Sequence, residues 1–156
     1  MVMGIRDQER IERSRKMQKP KILLVDDEIE FIETTKRLLE HRGYDVTTAN
    51  SGDSAIKALG QGGYGVMVLD LKMPGMDGIS TLKEINKLQL HIQTLVLTGH
   101  GAIHTAMEAK KLGAYDYLTK PCEIDELIEK LEAAKKEDES NNKKKSLLGA
   151  LGIRKK

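Results

Sequence analysis

The sequence predicts an α/β protein in which five short parallel strands alternate with five helices in a doubly wound sheet. Three observations carry this. Five compact apolar runs of strand length alternate with segments of helical apolar spacing. Strict alternation with short connections requires crossover helices, and therefore parallel strands. The runs ending at Val25, Leu69 and Leu97 lack polar interruption, as strands covered on both faces do. The order 2-1-3-4-5 is the common arrangement for five such units, although periodicity by itself leaves the order open.

The elements follow in chain order. Arg6 to Lys19 is dense in charge, with Ile11 and Met17 its apolar residues, and reads as a fraying helix or as disorder. Pro20 ends it. Lys21 to Val25 is the first strand, closed by Asp26-Asp27-Glu28. Glu30 to Arg42 is a helix with Phe31, Ile32, Leu38 and Leu39 at helical spacing, and Gly43 stops it. Tyr44 to Ala49 is a strand, and Asn50-Ser51-Gly52 turns into a helix over Asp53 to Leu59. Val66 to Leu69 is too short for a helix and long enough for a buried strand. It stops at one carboxylate, Asp70, and the following Met-Pro-Gly-Met-Asp-Gly marks a tight loop. Ile79 to Leu88 is a helix, Ile92 to Leu97 a strand, and Thr98-Gly99-His100-Gly101 a loop. An Ala-rich helix, Ala102 to Leu112, stops at Gly113. Tyr115 to Leu118 is the last strand, and Thr119-Lys120-Pro121 leads to a helix over Glu123 to Lys135.

The 156 residues suffice for one domain with a proper core and not for two ordinary ones. The expected division is a charged tail over 1–19, a domain over 20–136 and a basic tail over 137–156. Hydrophobic residues at 39% and charged residues at 32% suit a globular protein in water. The one cysteine, Cys122, excludes an intramolecular disulfide framework and fits a reducing compartment, and it reads as a small structural residue rather than a redox sensor. No apolar run approaches membrane-span length and the N-terminus lacks a signal-peptide core, so the expected compartment is the cytoplasm. The net charge of +2 is unevenly spread. Residues 1–20 carry +3 and residues 135–156 carry +5, which leaves −6 on 21–134. Basic ends suit nucleic acid or anionic lipid, or are simply solvated. In the final stretch, Lys143-Lys144-Lys145 precedes Leu147, Leu148, Leu151 and Ile153, with Gly149 and Gly152 between them. It is expected to be disordered alone, and to order on a partner or an anionic membrane surface or serve as a plain linker.

A lone carboxylate at the C-terminal end of a buried strand lies where open α/β sheets place their ligands. In a parallel sheet all strand C-termini share one edge. Asp26 and Asp27 follow the first strand, Asp70 ends the third, Thr98 ends the fourth and Lys120 follows the fifth. Three clustered carboxylates repel one another, so a hard cation with oxygen ligands is expected among them; Mg²⁺ fits, with Mn²⁺ as substitute. Such a site accepts a phosphoryl group, because the metal and Lys120 neutralise its oxygens and Thr98 donates a hydrogen bond.

Four motifs now stand in order: Lys21-Ile-Leu-Leu-Val-Asp-Asp-Glu28, Val68-Leu-Asp-Leu-Lys-Met-Pro-Gly-Met-Asp-Gly78, Leu97-Thr-Gly-His-Gly101 and Gly113-Ala-Tyr-Asp-Tyr-Leu-Thr-Lys-Pro121. Over roughly residues 20–135 they resemble the receiver domain of two-component response regulators, a flavodoxin-like fold. The wording is most similar to receivers of nitrogen-regulation-type activators. The 21 residues after Lys135 hold no folded output domain, which suggests a stand-alone receiver without a DNA-binding domain.

The resemblance implies that Asp70 is the phosphoacceptor. Asp27, Asp70 and the backbone carbonyl of Lys72 would ligate Mg²⁺ directly, and Asp26 would act through a metal-bound water. Lys120 would contact the phosphoryl oxygens, Thr98 would move toward them, and Tyr117 would rotate inward behind it. The Lys120–Pro121 peptide would be cis. The donor would be a phosphohistidine of a sensor histidine kinase or a histidine phosphotransfer protein. The signal would leave through the surface of helix 102–112, strand 115–118 and helix 123–135 to a downstream protein target, and a phosphorylation-dependent dimer is compatible with it. Apart from its own phosphotransfer and autodephosphorylation, such a protein is no enzyme. The family also places Lys72 and His100 beside the phosphoryl group, where their bulk would give it a lifetime of minutes or longer.

Simpler assignments exist for each residue. Asp26 and Asp27 suit a helix cap, Thr98 a strand end, and Tyr117 a static core. His100 and His104 have metal-pair spacing, but no third ligand is evident, which favours solvent-facing histidines. A receiver-like interaction module that takes no phosphate is the alternative function, and the intact set of five residues argues against it. An aspartyl phosphatase needs an aspartate where Lys72 stands. The two acids after the first strand would repel a flavin phosphate.

Overall fold

The computed structural model describes residues 4–17, 19–73, 75, 77–99 and 102–152. Five parallel strands form one sheet: β1 (Ile22–Val25), β2 (Val46–Ala49), β3 (Val66–Asp70), β4 (Gln93–Thr98) and β5 (Asp116–Thr119). Their order is β2-β1-β3-β4-β5, as expected. The described helices are α1 (Ile5–Met17), α2 (Ile29–His41), α3 (Gly52–Gly60), α4 (Gly78–Lys87), α5 (Ile103–Lys111) and α6 (Ile124–Ala150).

Alternation along the strands divides the core in two. Leu23, Val25, Met67, Leu69 and Val96 face α3, α4 and α5, which contribute Ala55, Leu82, Ile85 and Ala109. Ile22, Leu24, Val66, Val68, Leu95 and Leu97 face α2 and α6, which contribute Leu39, Leu127 and Leu131. Every residue of β1 and β3 is buried, which accounts for their unbroken apolar runs.

Two differences from expectation concern the ends. A sixth helix is present because α1 is fully formed, although it is mostly polar. The last helix does not stop at Lys135 but continues to Ala150, through the segment expected to be disordered. Burial of Leu127, Leu131 and Ala134 fixes its first turns. Beyond them each residue extends an existing helix, and the unfavourable nucleation step that limits a free peptide is absent.

Candidate functional site

The C-terminal edge of the sheet is built by extending its ladders one residue past each strand. The N–H of Asp26 donates to the Ala49 carbonyl at 3.1 Å, that of Leu71 to Leu97 at 3.1 Å, and that of Lys120 to Thr98 at 2.7 Å. The loops carrying the polar residues are thus fixed by backbone before any side chain acts. The Asp70 loop is further constrained by α4. A Cβ on Gly78 would lie 2.6 Å from the Leu71 Cα and 2.7 Å from the Asp70 carbonyl oxygen, so only glycine allows this approach. Asp77 caps α4 by accepting the Ser80 N–H at 2.7 Å.

Asp26, Asp27 and Asp70 come together on this edge, with one carboxylate oxygen from each lying within 4.8 Å of the others. Asp26 is fully buried and Asp70 is 3% exposed. Lys120 reaches in from beyond β5, with its Nζ 2.5 Å from Asp26 Oδ2 and 3.5 Å from Asp70 Oδ2. The other oxygens accept from nearby backbone: Glu28 N–H to Asp26 Oδ1 at 2.9 Å, and Lys72 N–H to Asp70 Oδ1 at 3.1 Å. The cap assignment fails for α2, since Glu28 stands at its N-cap and makes no side-chain capping bond. The Lys120–Pro121 peptide is cis, as expected.

Burial is the largest influence on Asp70. It pushes the carboxyl up to about 6, aided by the Asp26 charge and opposed by the Lys72 N–H and Lys120. The Lys120 ammonium loses by burial but gains more from Asp26, Asp70 and Glu28, and is held above its ordinary value. One cation therefore leaves the three carboxylates incompletely neutralised. A small oxygen-seeking divalent cation fits that donor set, and receiver domains generally bind Mg²⁺ in such a pocket.

Thr98 is buried at the end of β4, one residue past the Asp70–Leu97 register pair. Tyr117 pairs in register with Val96 and is half-buried against the α3–α5 side of the core. His104 is exposed, and His100, with its expected place beside Asp70, lies outside the described residues. Two neighbours of Lys120 were not foreseen. Glu28 Oε1 lies 3.5 Å from its Nζ, and the Phe31 ring centroid lies 4.1 Å away. The Asp-Asp-Glu run and the one-turn spacing from Glu28 to Phe31 were the available signals.

Comparison with known proteins agrees with this geometry. Residues 22–132 match the family model for the response regulator receiver domain. The chain is 42% identical over 113 residues to the transcriptional regulatory protein ZraR of Escherichia coli, covering 72% of this chain and 26% of that protein. It is 35% identical over 133 residues to FixJ of Bradyrhizobium diazoefficiens, covering 85% and 65%. The chain thus spans about a quarter of ZraR and about two thirds of FixJ. The receiver domain of the Francisella response regulator 1452 superposes with a TM-score of 0.72 at 35% identity, covering 77% of this chain and 99% of that one. NtrX from Brucella abortus gives a TM-score of 0.78 at 31% identity, covering 88% and 31%. With the strand order, the acidic edge and the family match over residues 22–132 in agreement, the chain belongs to the receiver domain family of response regulators.

Proposed function

We propose that the chain is a phosphorylation-activated switch whose phosphoacceptor is Asp70. The carrying observation is that Asp70, buried at the end of β3, has its Oδ2 facing Lys120 in a carboxylate cluster suited to a divalent cation. The donor is a phosphohistidine on a sensor histidine kinase or a histidine phosphotransfer protein. An Asp70 oxygen forms a bond to phosphorus while the phosphorus–nitrogen bond breaks, and the imidazole leaves with the electron pair. Asp26, Asp27, Asp70 and the Lys72 carbonyl would hold Mg²⁺ or Mn²⁺, with Asp26 acting through a water. When bound, the ion supplies charge neutralisation to the phosphoryl oxygens. Lys120 supplies a second positive charge, and as a flexible point charge it follows the phosphoryl group as the group arrives.

The acyl phosphate is a new dianion at a buried edge. It draws the Thr98 hydroxyl toward it, and the space vacated admits Tyr117. This shifts a pre-existing equilibrium rather than creating a new fold. The change is relayed through α5, β5 and α6 to a downstream protein, in the cytoplasm where a kinase phosphohistidine is available. Beyond accepting and losing its own phosphoryl group, the chain turns over no substrate.

Mg²⁺-dependent labelling by acetyl phosphate tests the acceptor. Label is expected on wild type and absent from Asp70→Asn, and labelling of the variant at the wild-type rate would exclude Asp70. A comparison of amide shifts with and without a beryllofluoride mimic tests the relay. Shifts are expected along α5, β5 and α6, and shifts confined to the Asp70 pocket would remove the switch.

A further inference from the structure

Beyond Ala134 no described residue of α6 is buried; Asp138, Asn141, Asn142 and Lys145 only border surface cavities of the domain. The buried residues of α6 are Leu127, Leu131 and Ala134, and no apolar residue occurs from Lys135 to Ser146. That gap excludes a coiled-coil seam, which needs an apolar residue every three or four positions. Apolar residues then return. Leu147 and Leu151, one turn apart, are 62% and 65% exposed, and Leu148 flanks them on the same side. Lys143, Lys144 and Lys145 precede them, Lys144 being one turn before Leu147 and Leu148. Arg154, Lys155 and Lys156 follow in the sequence, and no acid occurs after Glu139.

We propose that the end of α6, residues 143–152, docks on an anionic lipid surface. Its leucines enter the boundary between headgroups and acyl chains, while its lysines pair with lipid phosphates. Both features are needed to choose the partner. A nucleic acid would satisfy the lysines and leave the leucines in water, and the chain has no aromatic residue after Tyr117 on which a base could stack. An apolar protein groove would take the leucines and gain nothing from three adjacent lysines. The helix is already formed to Ala150, so docking carries less ordering cost than the disordered tail expected from sequence.

The direction of α6 makes such docking compatible with signalling. The helix begins next to Pro121, at the acidic edge, and runs back against the strands. By Asp138 and Glu139 it borders a cavity shared with Lys19, Lys21 and Asp45, at the N-terminal edge of the sheet. Its end therefore leaves the domain on the side opposite Asp26, Asp27 and Asp70. An anionic surface attracts this end and repels the −6 charge of residues 21–134, so electrostatics favour the same orientation. The acidic pocket then faces away from the lipid and stays open to a phosphodonor.

Cosedimentation of the full chain tests this, with vesicles of phosphatidylcholine alone or mixed with phosphatidylglycerol. Binding is expected only to the mixed vesicles and should weaken as salt is raised. Leu147→Asp with Leu151→Asp should lower the partition coefficient at least about tenfold. Replacing Lys143, Lys144 and Lys145 by Gln should lower it about tenfold or more and flatten the salt dependence. Circular dichroism and acetyl phosphate labelling should match wild type in both variants, which separates lost docking from lost folding. Equal binding to both vesicle types, or to neither, overturns the proposal. It is overturned in favour of a nucleic acid if duplex DNA or RNA binds more tightly than the mixed vesicles and the leucine variants bind it unchanged. It is overturned in favour of a second copy if sedimentation shows a dimer that Leu147→Asp dissolves.

Discussion

Asp70 and Asp116 are the same residue type in two strands of one sheet, and each faces lysine, yet they are shifted in opposite directions. Burial raises Asp70 to about 6 against the pull of the Lys72 N–H and Lys120. Burial also pushes Asp116 upward and is its largest single influence. The Lys130 hydrogen bond, the Tyr117 N–H and the charges of Lys130 and Lys110 together outweigh it, and the carboxyl sits below its ordinary value. Asp116 keeps 24% of its side chain exposed and is the acid that both Lys110 and Lys130 pair with among the described residues, whereas Asp70 keeps 5% and competes with Asp26 for one lysine. The first arrangement is a satisfied surface ion cluster. The second holds unneutralised negative charge where a cation or phosphoryl group is to bind, as active sites often do.

The largest expected effect comes from removing the one lysine that the buried carboxylates share. Lys120→Met leaves Asp26, fully buried, without its cation at 2.5 Å. Breaking a buried pair by deleting one member costs about 3–5 kcal/mol, because the remaining charge is stranded. Urea unfolding in EDTA should show a loss of that size, and Mg²⁺ should recover part of it. A loss below about 1 kcal/mol would mean that water already solvates Asp26, and the contrast with Asp116 would collapse.

Asp70→Asn is expected to stabilise the metal-free protein. The raised carboxyl favours the protonated native state, so its contribution is present below its unfolded value of about 4 and lost as pH rises through about 6. Asn does not ionise, and its side-chain oxygen can still accept the Lys72 N–H. The variant should therefore match wild type at low pH and exceed it by about 1–2 kcal/mol above pH 6. Melting curves across that range in EDTA check this, and Mg²⁺ should narrow the gap. A difference that does not vary with pH would remove buried charge from the explanation.

How much of this was legible depends on where the determining interaction lies. Asp70 was readable because a strand ending in a carboxylate, followed by Pro and Gly, is a local pattern. The convergence of Asp26, Asp27, Asp70, Thr98 and Lys120 followed from parallel topology, since that topology sends every strand end to one edge. Glu28 and Phe31 around Lys120 were not readable, because their contacts depend on how far a flexible lysine reaches across the sheet. The same holds for Lys130 and Asp116, brought together as α6 packs across β4 next to β5. The extension of α6 was missed for another reason. Propensity disfavours this segment as an isolated helix, while here it begins on a helix that Leu127 and Leu131 have already fixed.

The smallest expected effect is the most direct comparison, because it makes the same substitution at the other aspartate. Asp116→Asn removes the charge facing Lys130 and Lys110 while leaving an oxygen able to accept the Tyr117 N–H at 2.8 Å. A depressed carboxyl stabilises the fold above its unfolded value of about 4, and that contribution is lost as pH falls through the depressed value. The variant should therefore be less stable than wild type at neutral pH and converge with it in acid, the reverse of Asp70→Asn. Both lysines are partly exposed, at 49% for Lys110 and 38% for Lys130, so solvent screens the interaction. The loss should be no more than about 0.5–1 kcal/mol and should shrink with added salt. Melting at two salt concentrations checks it. If Asp116→Asn instead stabilises at neutral pH, as Asp70→Asn is expected to, then burial outweighs pairing at both aspartates. The acidic edge would then owe its raised carboxyl to strand position in the sheet rather than to the crowding of three acids around one lysine.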